Sequence, residues 1–159
     1  AVLLRPLAVP AADEVIALRH RDVPTGLAKQ FIAIGDLVDM RQRQRTLEAL
    51  AGYSGLQSTL FDAAEPVRVE GMAVTPEMFG ALRLQVASGR AFTSDDARQG
   101  AAPVVIVSHE MWQTNLGSDP QILSRSIQLG STRIVSGVVC QESQSRIVCS
   151  GDKVVTTFF

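Results

Sequence analysis

The residues with the most familiar chemistry in this sequence are three neighbours, Ser108, His109 and Glu110. A serine, a base and an acid form the active site of many hydrolases, in which the base accepts the proton of the serine hydroxyl. Adjacent residues on a helix do not face one another, so this serine and this histidine cannot form such a pair. The Gly-x-Ser-x-Gly turn that carries the nucleophile in one large hydrolase class does not occur in the sequence either. These residues therefore predict no active site, and Ser108 is instead expected to cap a helix.

Two acidic neighbours, Asp95 and Asp96, are the next candidates, because paired carboxylates can bind a cation. The loop pattern of a calcium site, with its closing glutamate, is missing, which favours an exposed acidic turn. The glycines are spread too widely for a phosphate-binding loop. We expect no catalytic residue, no metal site and no bound cofactor.

Two cysteines, Cys140 and Cys149, lie at the ends of two short apolar runs that flank a polar segment. If these runs pair as a hairpin, the two sulfur atoms could form a disulfide, worth roughly 2.5–3 kcal/mol on the chain-entropy model. Two unpaired, partly buried thiols fit the sequence equally well, and both alternatives stay open. A zinc site is not expected, because His20 and His109 lie far from this pair in the sequence.

The composition is that of an ordinary soluble domain with little net charge. Fifteen basic and sixteen acidic residues leave a net charge of −1, which argues against nucleic acid as the main partner. The basic run Arg41–Arg45 is interpreted as the solvated end of a helix, where cations also suit the helix dipole. No apolar run approaches the roughly 20 residues of a membrane-spanning helix. The sequence does not begin with Met, and we expect it to be a segment of a longer polypeptide.

Local patterns predict a strand, a helix, a helical turn and a hairpin between residues 103 and 137. The β-branched run from Pro103 to Val107 predicts a buried strand, and the following helix is expected to end near Gly117. Asp119 is expected to cap a short second helix. Gly130-Ser131 has the position of a two-residue hairpin turn.

Other patterns predict further elements on both sides of this block. Helices are expected at Phe31–Gln44 and Leu47–Gly52 and after Thr75, and strands at Glu14–Arg19, Leu56–Phe61 and Val67–Val74. These elements indicate an α+β fold of small mixed or antiparallel sheets packed with short helices, arranged as one domain or two small lobes.

Four segments in order resemble the MacB-type periplasmic core domain of ABC transporter permeases. They are Val2–Leu7, Glu65–Phe79 with its Glu-Pro and its aromatic residue, the Gly-Arg-x-Phe turn at Gly89–Asp96, and the block from Pro103 to Gly137. The resemblance covers about Val2 to Val139. It ends there, because the tail 140–159 lacks the Pro-Gly-Phe segment with which the family tends to continue.

The resemblance implies that residues 1–159 are a fragment of a non-catalytic domain on the extracytoplasmic side of the membrane. Such a domain is anchored by flanking membrane helices that this chain does not contain, and ATP is hydrolysed by a separate cytoplasmic domain or subunit. The implied partners are the rest of the permease and a partner protein or cargo, with a periplasmic adaptor as one candidate. The implied role is to transmit movement of the membrane helices and to dock that partner. The alternative is an extracytoplasmic ligand-sensing module of a membrane receptor, which would need a pocket with converging polar groups.

Overall fold

The computed structural model describes residues 12–18, 20–21, 28–29, 32–140 and 153–157. For 20–21, 28–29, 133–140 and 153–157 it defines the backbone of strands. The proposed bridge between Cys140 and Cys149 lies outside the described residues, because Cys149 is not among them.

The chain forms nine strands and three α-helices within the described residues. In chain order these are β1 (His20–Arg21), β2 (Ala28–Lys29), α1 (Ile34–Arg43), β3 (Tyr53–Leu60), β4 (Val67–Val74), α2 (Met78–Ala81), β5 (Val86–Ser88), β6 (Val104–Ser108), α3 (His109–Thr114), β7 (Ser126–Leu129), β8 (Thr132–Cys140) and β9 (Lys153–Thr157). Short 3-10 turns occupy Ala12–Glu14, Ser94–Ala97 and Ile122–Ser124.

Seven strands share one mixed sheet in the order β5-β8-β6-β9-β4-β3-β7, and β1 pairs with β2 separately. The pairs β4–β9 and β6–β8 are parallel, whereas the other pairs in the sheet are antiparallel. Because β7 also pairs with β8, the row of strands closes on itself through β7. The mixed sheet and short helices confirm the predicted α+β class.

The apolar core divides into two clusters that meet at β6. Val105 and Val107 lie in one cluster and Ile106 in the other, as expected for a strand whose side chains alternate between two covered faces. The first cluster consists of Leu60, Val69, Val105, Val107, Met111, Leu116, Ile122, Ile127 and Leu129. The second consists of Val74, Met78, Phe79, Leu84, Phe92 and Ile106.

The hairpin and the helix α1 form where the sequence patterns place them. In the hairpin, Ser126 pairs with Val135 and Leu129 with Thr132, and Gly130 at the turn has φ +60°, a conformation that favours glycine. Helix α1 lies inside the predicted range.

Two predicted elements are wrong. The segment predicted as a helix at Leu47–Gly52 is irregular, because Gln44 Oε1 accepts from the Leu47 N–H and the chain already joins the start of the sheet at Gly52. There the N–H of Thr75 donates to the Gly52 carbonyl at 2.9 Å. The strand predicted at Glu14–Arg19 is a 3-10 turn followed by irregular backbone through Leu18.

The tail supplies a central strand of the sheet. Strand β9 runs parallel to β4, with Val154 opposite Gly71, and antiparallel to β6, with Val155 opposite Ile106. Residues far apart in the sequence are therefore needed to complete the middle of the sheet.

Candidate functional site

The serine and histidine that suggest hydrolysis have structural contacts. Ser108 is 1% exposed, and its Oγ accepts a hydrogen bond from the Met111 N–H at 3.0 Å, which confirms the predicted cap of α3. The His109 ring lies beside the Trp112 ring, with the centroids 5.4 Å apart. The geometry assigns Ser108 to holding the start of α3.

The turn that carries the acidic pair is built around Asp96, which is largely buried. Arg90 donates two hydrogen bonds to its carboxylate, at 2.6 and 2.7 Å, and the Thr93 N–H donates a third at 2.7 Å. The hydrogen bonds from Arg90 lower the pKa of Asp96 to about 2, against the opposing effect of its burial. Asp96 therefore differs from the solvated acidic turn that the sequence indicates.

Phe92, which lies between Arg90 and Asp96, anchors this turn in the apolar core. Phe92 packs edge to face against Phe79, with ring centroids 5.6 Å apart, in the second core cluster. The Arg90–Asp96 pair thus fixes the backbone on both sides of a buried aromatic side chain.

Asp119 joins the end of α3 to the start of the hairpin. Its carbonyl accepts from Trp112 Nε1 at 2.9 Å, and its carboxylate accepts from the Gln121 N–H at 2.8 Å and from Arg125 at 2.9 Å. The Gln121 N–H and then Arg125 lower the pKa of Asp119. The prediction that Asp119 caps a helix is wrong, because the helical turn that follows is 3-10, begins at Ile122 and has Gln121 as its N-cap. The Asp119 carboxylate instead closes the preceding turn by accepting from the Gln121 N–H.

The basic run at the end of α1 has a specific partner. Arg41 donates to both carboxylate oxygens of Glu77 at 2.9 Å and to the Leu50 carbonyl at 3.1 Å. Both ion-pair side chains are about one-third exposed. Arg41 is therefore a clamp between α1 and the start of α2, whereas Arg43 and Arg45 are exposed, as the predicted solvated helix end requires.

A second arginine links the N-terminal part to α2. Arg83 lies 2.8 Å from Glu14 and 3.3 Å from Glu48, and its φ of +51° places it in the left-handed region after α2. Sequence reasoning missed both clamps, because the paired residues are separated by 35 to 69 positions and no local pattern connects them.

Helix α1 keeps its apolar side chains at the surface. Ile34 is 57% exposed and Val38 is 43% exposed, and no residue of the helix is buried. Leu37 contacts the backbone of Gly52, where a Cβ atom would lie only 2.7 Å from Leu37 Cδ2. Leu37 near Gly52 and Arg41 with its partners are therefore two points at which the helix meets the body.

The described residues contain no group of three or more histidine, cysteine, aspartate or glutamate side chains that could hold a metal ion. Among the same residues, no helix has the length and apolar character needed to cross a bilayer. The groups with reactive side chains that the structure does bring together, around Asp96, Asp119 and Arg41, hold turns and helices in place.

Comparison with known proteins extends these observations. A model of the MacB-like periplasmic core domain matches residues 11–157, which includes β9. The periplasmic region of MacB from Actinobacillus actinomycetemcomitans has a TM-score of 0.67 at 13% identity, over 82% of this chain and 56% of that one. The extracellular domain of the noncanonic ABC-type transporter YknZ from Gram-positive bacteria has a TM-score of 0.61 at 15% identity, over 77% of this chain and 61% of that one. No curated protein sequence gives a significant match.

The chain therefore spans little more than half the length of these structural neighbours, and at these identities the likeness to them establishes the fold. The family model covers nearly the whole sequence. This chain belongs to the MacB-like periplasmic core domain family of ABC transporter permeases.

Proposed function

We propose that this chain is a non-catalytic, extracytoplasmic domain of an ABC transporter permease that transmits movement of the membrane helices and docks a partner protein or cargo. The match of the family model over residues 11–157 carries the proposal. On this view the domain is anchored by membrane helices of the parent polypeptide, and a separate cytoplasmic ATPase supplies the energy. A periplasmic adaptor protein is a candidate for the docked partner.

The packing supports a mechanical role. Strand β6 is covered on both faces, and the pairing of β7 with both β3 and β8 closes the row of strands. Closely packed interiors have low compressibility, so a displacement applied at one end of such a body moves the other end with it. The Arg90–Asp96 and Asp119 contacts hold the connecting turns to this body.

The first experiment is to read the sequence that flanks this segment in its gene. We expect a membrane-spanning helix before and after it. A parent polypeptide without membrane helices would contradict the proposal.

The second experiment uses the intact permease with its ATPase in membrane vesicles. Residues 12–157 are replaced by a short Gly/Ser linker, and ATP hydrolysis and cargo transport are measured together. We expect ATP hydrolysis to persist and cargo transport to be lost, because the membrane helices are no longer connected to the domain that docks the partner protein or cargo. Transport at the unaltered rate would contradict the proposal, and a matched variant with an inactive ATPase defines the zero of both assays.

A further inference from the structure

The turn that ends α2 contains an arginine where a glycine is usual. The N–H of Leu84 donates to the Phe79 carbonyl at 2.8 Å, and the N–H of Arg83 donates to the Gly80 carbonyl at 3.0 Å. These two bonds form a common helix-ending turn, whose first residue past the cap has a left-handed backbone and is usually glycine. Arg83 occupies that position with φ +51°, which is unfavourable for a residue with a Cβ atom. A residue in such a conformation is retained when its contacts compensate for the strain.

The side chain of Arg83 makes contacts that a glycine could not make. Its guanidinium lies 2.8 Å from a carboxylate oxygen of Glu14 and 3.3 Å from one of Glu48. The two glutamates come from separate parts of the chain, both of which precede β3. Glycine at this position would remove the backbone strain and both ion pairs together. The arginine is therefore explained by the two segments that it joins to α2.

The two glutamates belong to the outer part of the molecule formed by residues 12–18 and 32–50, which we call the N-terminal layer. None of these residues is buried, whereas β4 and α2, which lie next to the layer, both contribute buried side chains to the core. Ala12 and Val15 pack against the second core cluster but are only partly buried. Little apolar burial therefore opposes separation of the layer from the sheet.

Ion pairs at both ends of α2 connect it to this layer. Arg83 lies after the helix, and Glu77, the partner of Arg41, lies directly before it. Every charged side chain in these pairs is at least about one-third exposed. Exposed ion pairs contribute little to stability and are screened by salt. The contacts that close the layer onto α2 can therefore be broken without unfolding the core.

The layer joins the sheet at Gly52. The N–H of Thr75 donates to the Gly52 carbonyl at 2.9 Å, and the Gly52 N–H donates to Thr75 Oγ1 at 3.1 Å. These two bonds hold the backbone at the start of β3, where β3 pairs with β4. Gly52 is therefore a fixed point about which the layer can turn while the strands remain paired.

We propose that the N-terminal layer opens from the sheet about Gly52 and that Arg83 holds it closed. In the closed form, which is the one described here, Arg83 is paired with both Glu14 and Glu48. In the open form both pairs are broken and the three charged groups are solvated. Because opening exposes little apolar surface, the two forms differ by a small free energy and both are populated.

This opening is a property of the chain itself and does not depend on the proposed function. Under that function, the N-terminal layer lies between the sheet and the membrane helix expected before this segment. The ion pairs of Arg83 would then determine whether movement of that helix reaches the sheet. The test below measures distances within this chain, so its failure would leave the proposed function standing.

Distances between spin labels test the opening. In a background with Cys140→Ser and Cys149→Ser, labels are attached at Gln42→Cys in α1 and Gln113→Cys in α3, both of which are exposed positions. We expect one main distance at low salt and a second distance whose population grows as salt is added, because salt screens the ion pairs. A reference pair outside the layer, Gln99→Cys with Gln113→Cys, is expected to keep one distance throughout.

Substitutions at Arg83 separate its ion pairs from its backbone strain. Arg83→Gly removes both, and is expected to raise the population of the second distance roughly three- to tenfold at low salt. The matched control Ser118→Gly replaces another non-glycine residue with positive φ, +55°, in the turn after α3, and is expected to leave the label distances unaltered. The double variant Glu14→Gln/Glu48→Gln keeps Arg83 and is expected to reproduce the effect of Arg83→Gly.

Two results would overturn the proposal. One is a single, unaltered distance in both Arg83→Gly and the double glutamate variant at low and high salt. The other is a second distance that also forms in Ser118→Gly or in the reference pair, because the whole chain would then be loosened and no opening of the layer would be involved.

Discussion

Two regions are held in the fold by different interactions: the block from Pro103 to Gly137, which contains β6 and β7, and the helix α1. In the block, Val105, Val107 and Ile127 are fully buried, and their side chains meet in one cluster. In α1 no side chain is buried, and Arg41 with its partner Glu77 links the helix to the body. Burial of a large apolar side chain contributes about 1.5–3 kcal/mol, whereas a partly exposed ion pair contributes about 0–1 kcal/mol. The comparison teaches that apolar residues at regular spacing predict an element without predicting how firmly it is held.

The largest expected effect is in the block. Ile127→Ala should lower the free energy of unfolding by about 2–5 kcal/mol, because it leaves a cavity at a side chain with no exposed surface. The matched change Ile34→Ala in α1 should alter it by less than about 0.5 kcal/mol, because Ile34 is mostly exposed. Urea unfolding of both variants measures the difference. Equal effects would remove the distinction between the two regions.

The next effect is at the turn that covers the second core cluster. Asp96→Asn should cost roughly 1–2 kcal/mol, since it weakens the paired hydrogen bonds from Arg90, which is half exposed and partly screened by water. The control Asp95→Asn changes an exposed carboxylate on the same turn and should cost little. Thermal unfolding of the two variants at neutral pH measures the difference. Equal losses of stability in Asp96→Asn and Asp95→Asn would show that the buried carboxylate contributes no more than the exposed one.

The pH dependence of stability provides an independent check on Asp96. Its pKa in the folded chain, about 2, lies below the ordinary value of 3.8. A lowered pKa contributes stability that is fully present above about pH 4 and is lost as the pH falls towards 2. The difference in unfolding free energy between the unaltered chain and Asp96→Asn should therefore shrink across that interval. A difference that stays constant down to pH 2 would contradict the assigned ion pair.

A smaller effect is expected at the start of α3. Ser108→Ala should lower the free energy of unfolding by about 1 kcal/mol, because the Met111 N–H loses its acceptor at a buried helix start. Ser108→Thr, which keeps the hydroxyl, tests whether the cap or the volume matters. If Ser108→Ala unfolds at the same urea concentration as the unaltered chain, the cap contributes nothing.

The smallest global effect is at the α1 clamp. Arg41→Lys keeps the charge but loses the two-point contact with Glu77, and should cost less than about 1 kcal/mol. Its effect should be local, with faster hydrogen exchange in residues 34–43 and little change in β6. Added salt should produce a similar change in the unaltered chain, because it screens exposed charges. Unchanged exchange in α1 would mean that the Arg41–Glu77 contact does not hold the helix.

Elements whose signals are local were predictable. The Ser108 cap, the Gly130 turn and the strand β6 each depend on residue types within a few positions, and each forms as predicted. The helix predicted at Leu47–Gly52 does not form, because a contact distant in the sequence determines the backbone there. The pairing of Gly52 with Thr75 extends that segment, and this contact spans 23 positions.

At the candidate sites, too, the contacts that local sequence patterns do not reveal were missed. The sequence indicated solvated charges at Asp96 and Arg41, because a charge usually faces water unless a partner is known. For Asp96 the partner Arg90 lies only six positions away, but it precedes the 3-10 turn that contains Asp96, and the irregular backbone between them gives no periodic signal. For Arg41 the partner lies 36 positions away.

The amino-acid sequence by itself determined the short-range features of this protein: its α+β class, the Ser108 cap, the hairpin turn at Gly130, and the ordered segments by which it resembles its family. Tertiary structure decided which strands became neighbours, most clearly for β9, which lies between β4 and β6. Strand β9 begins 79 positions after the end of β4 and 45 positions after the end of β6. Turn and cap energies depend on adjacent residues and can be read along the chain. Strand order depends on which apolar faces can be buried together, and that is determined only when the whole chain has folded.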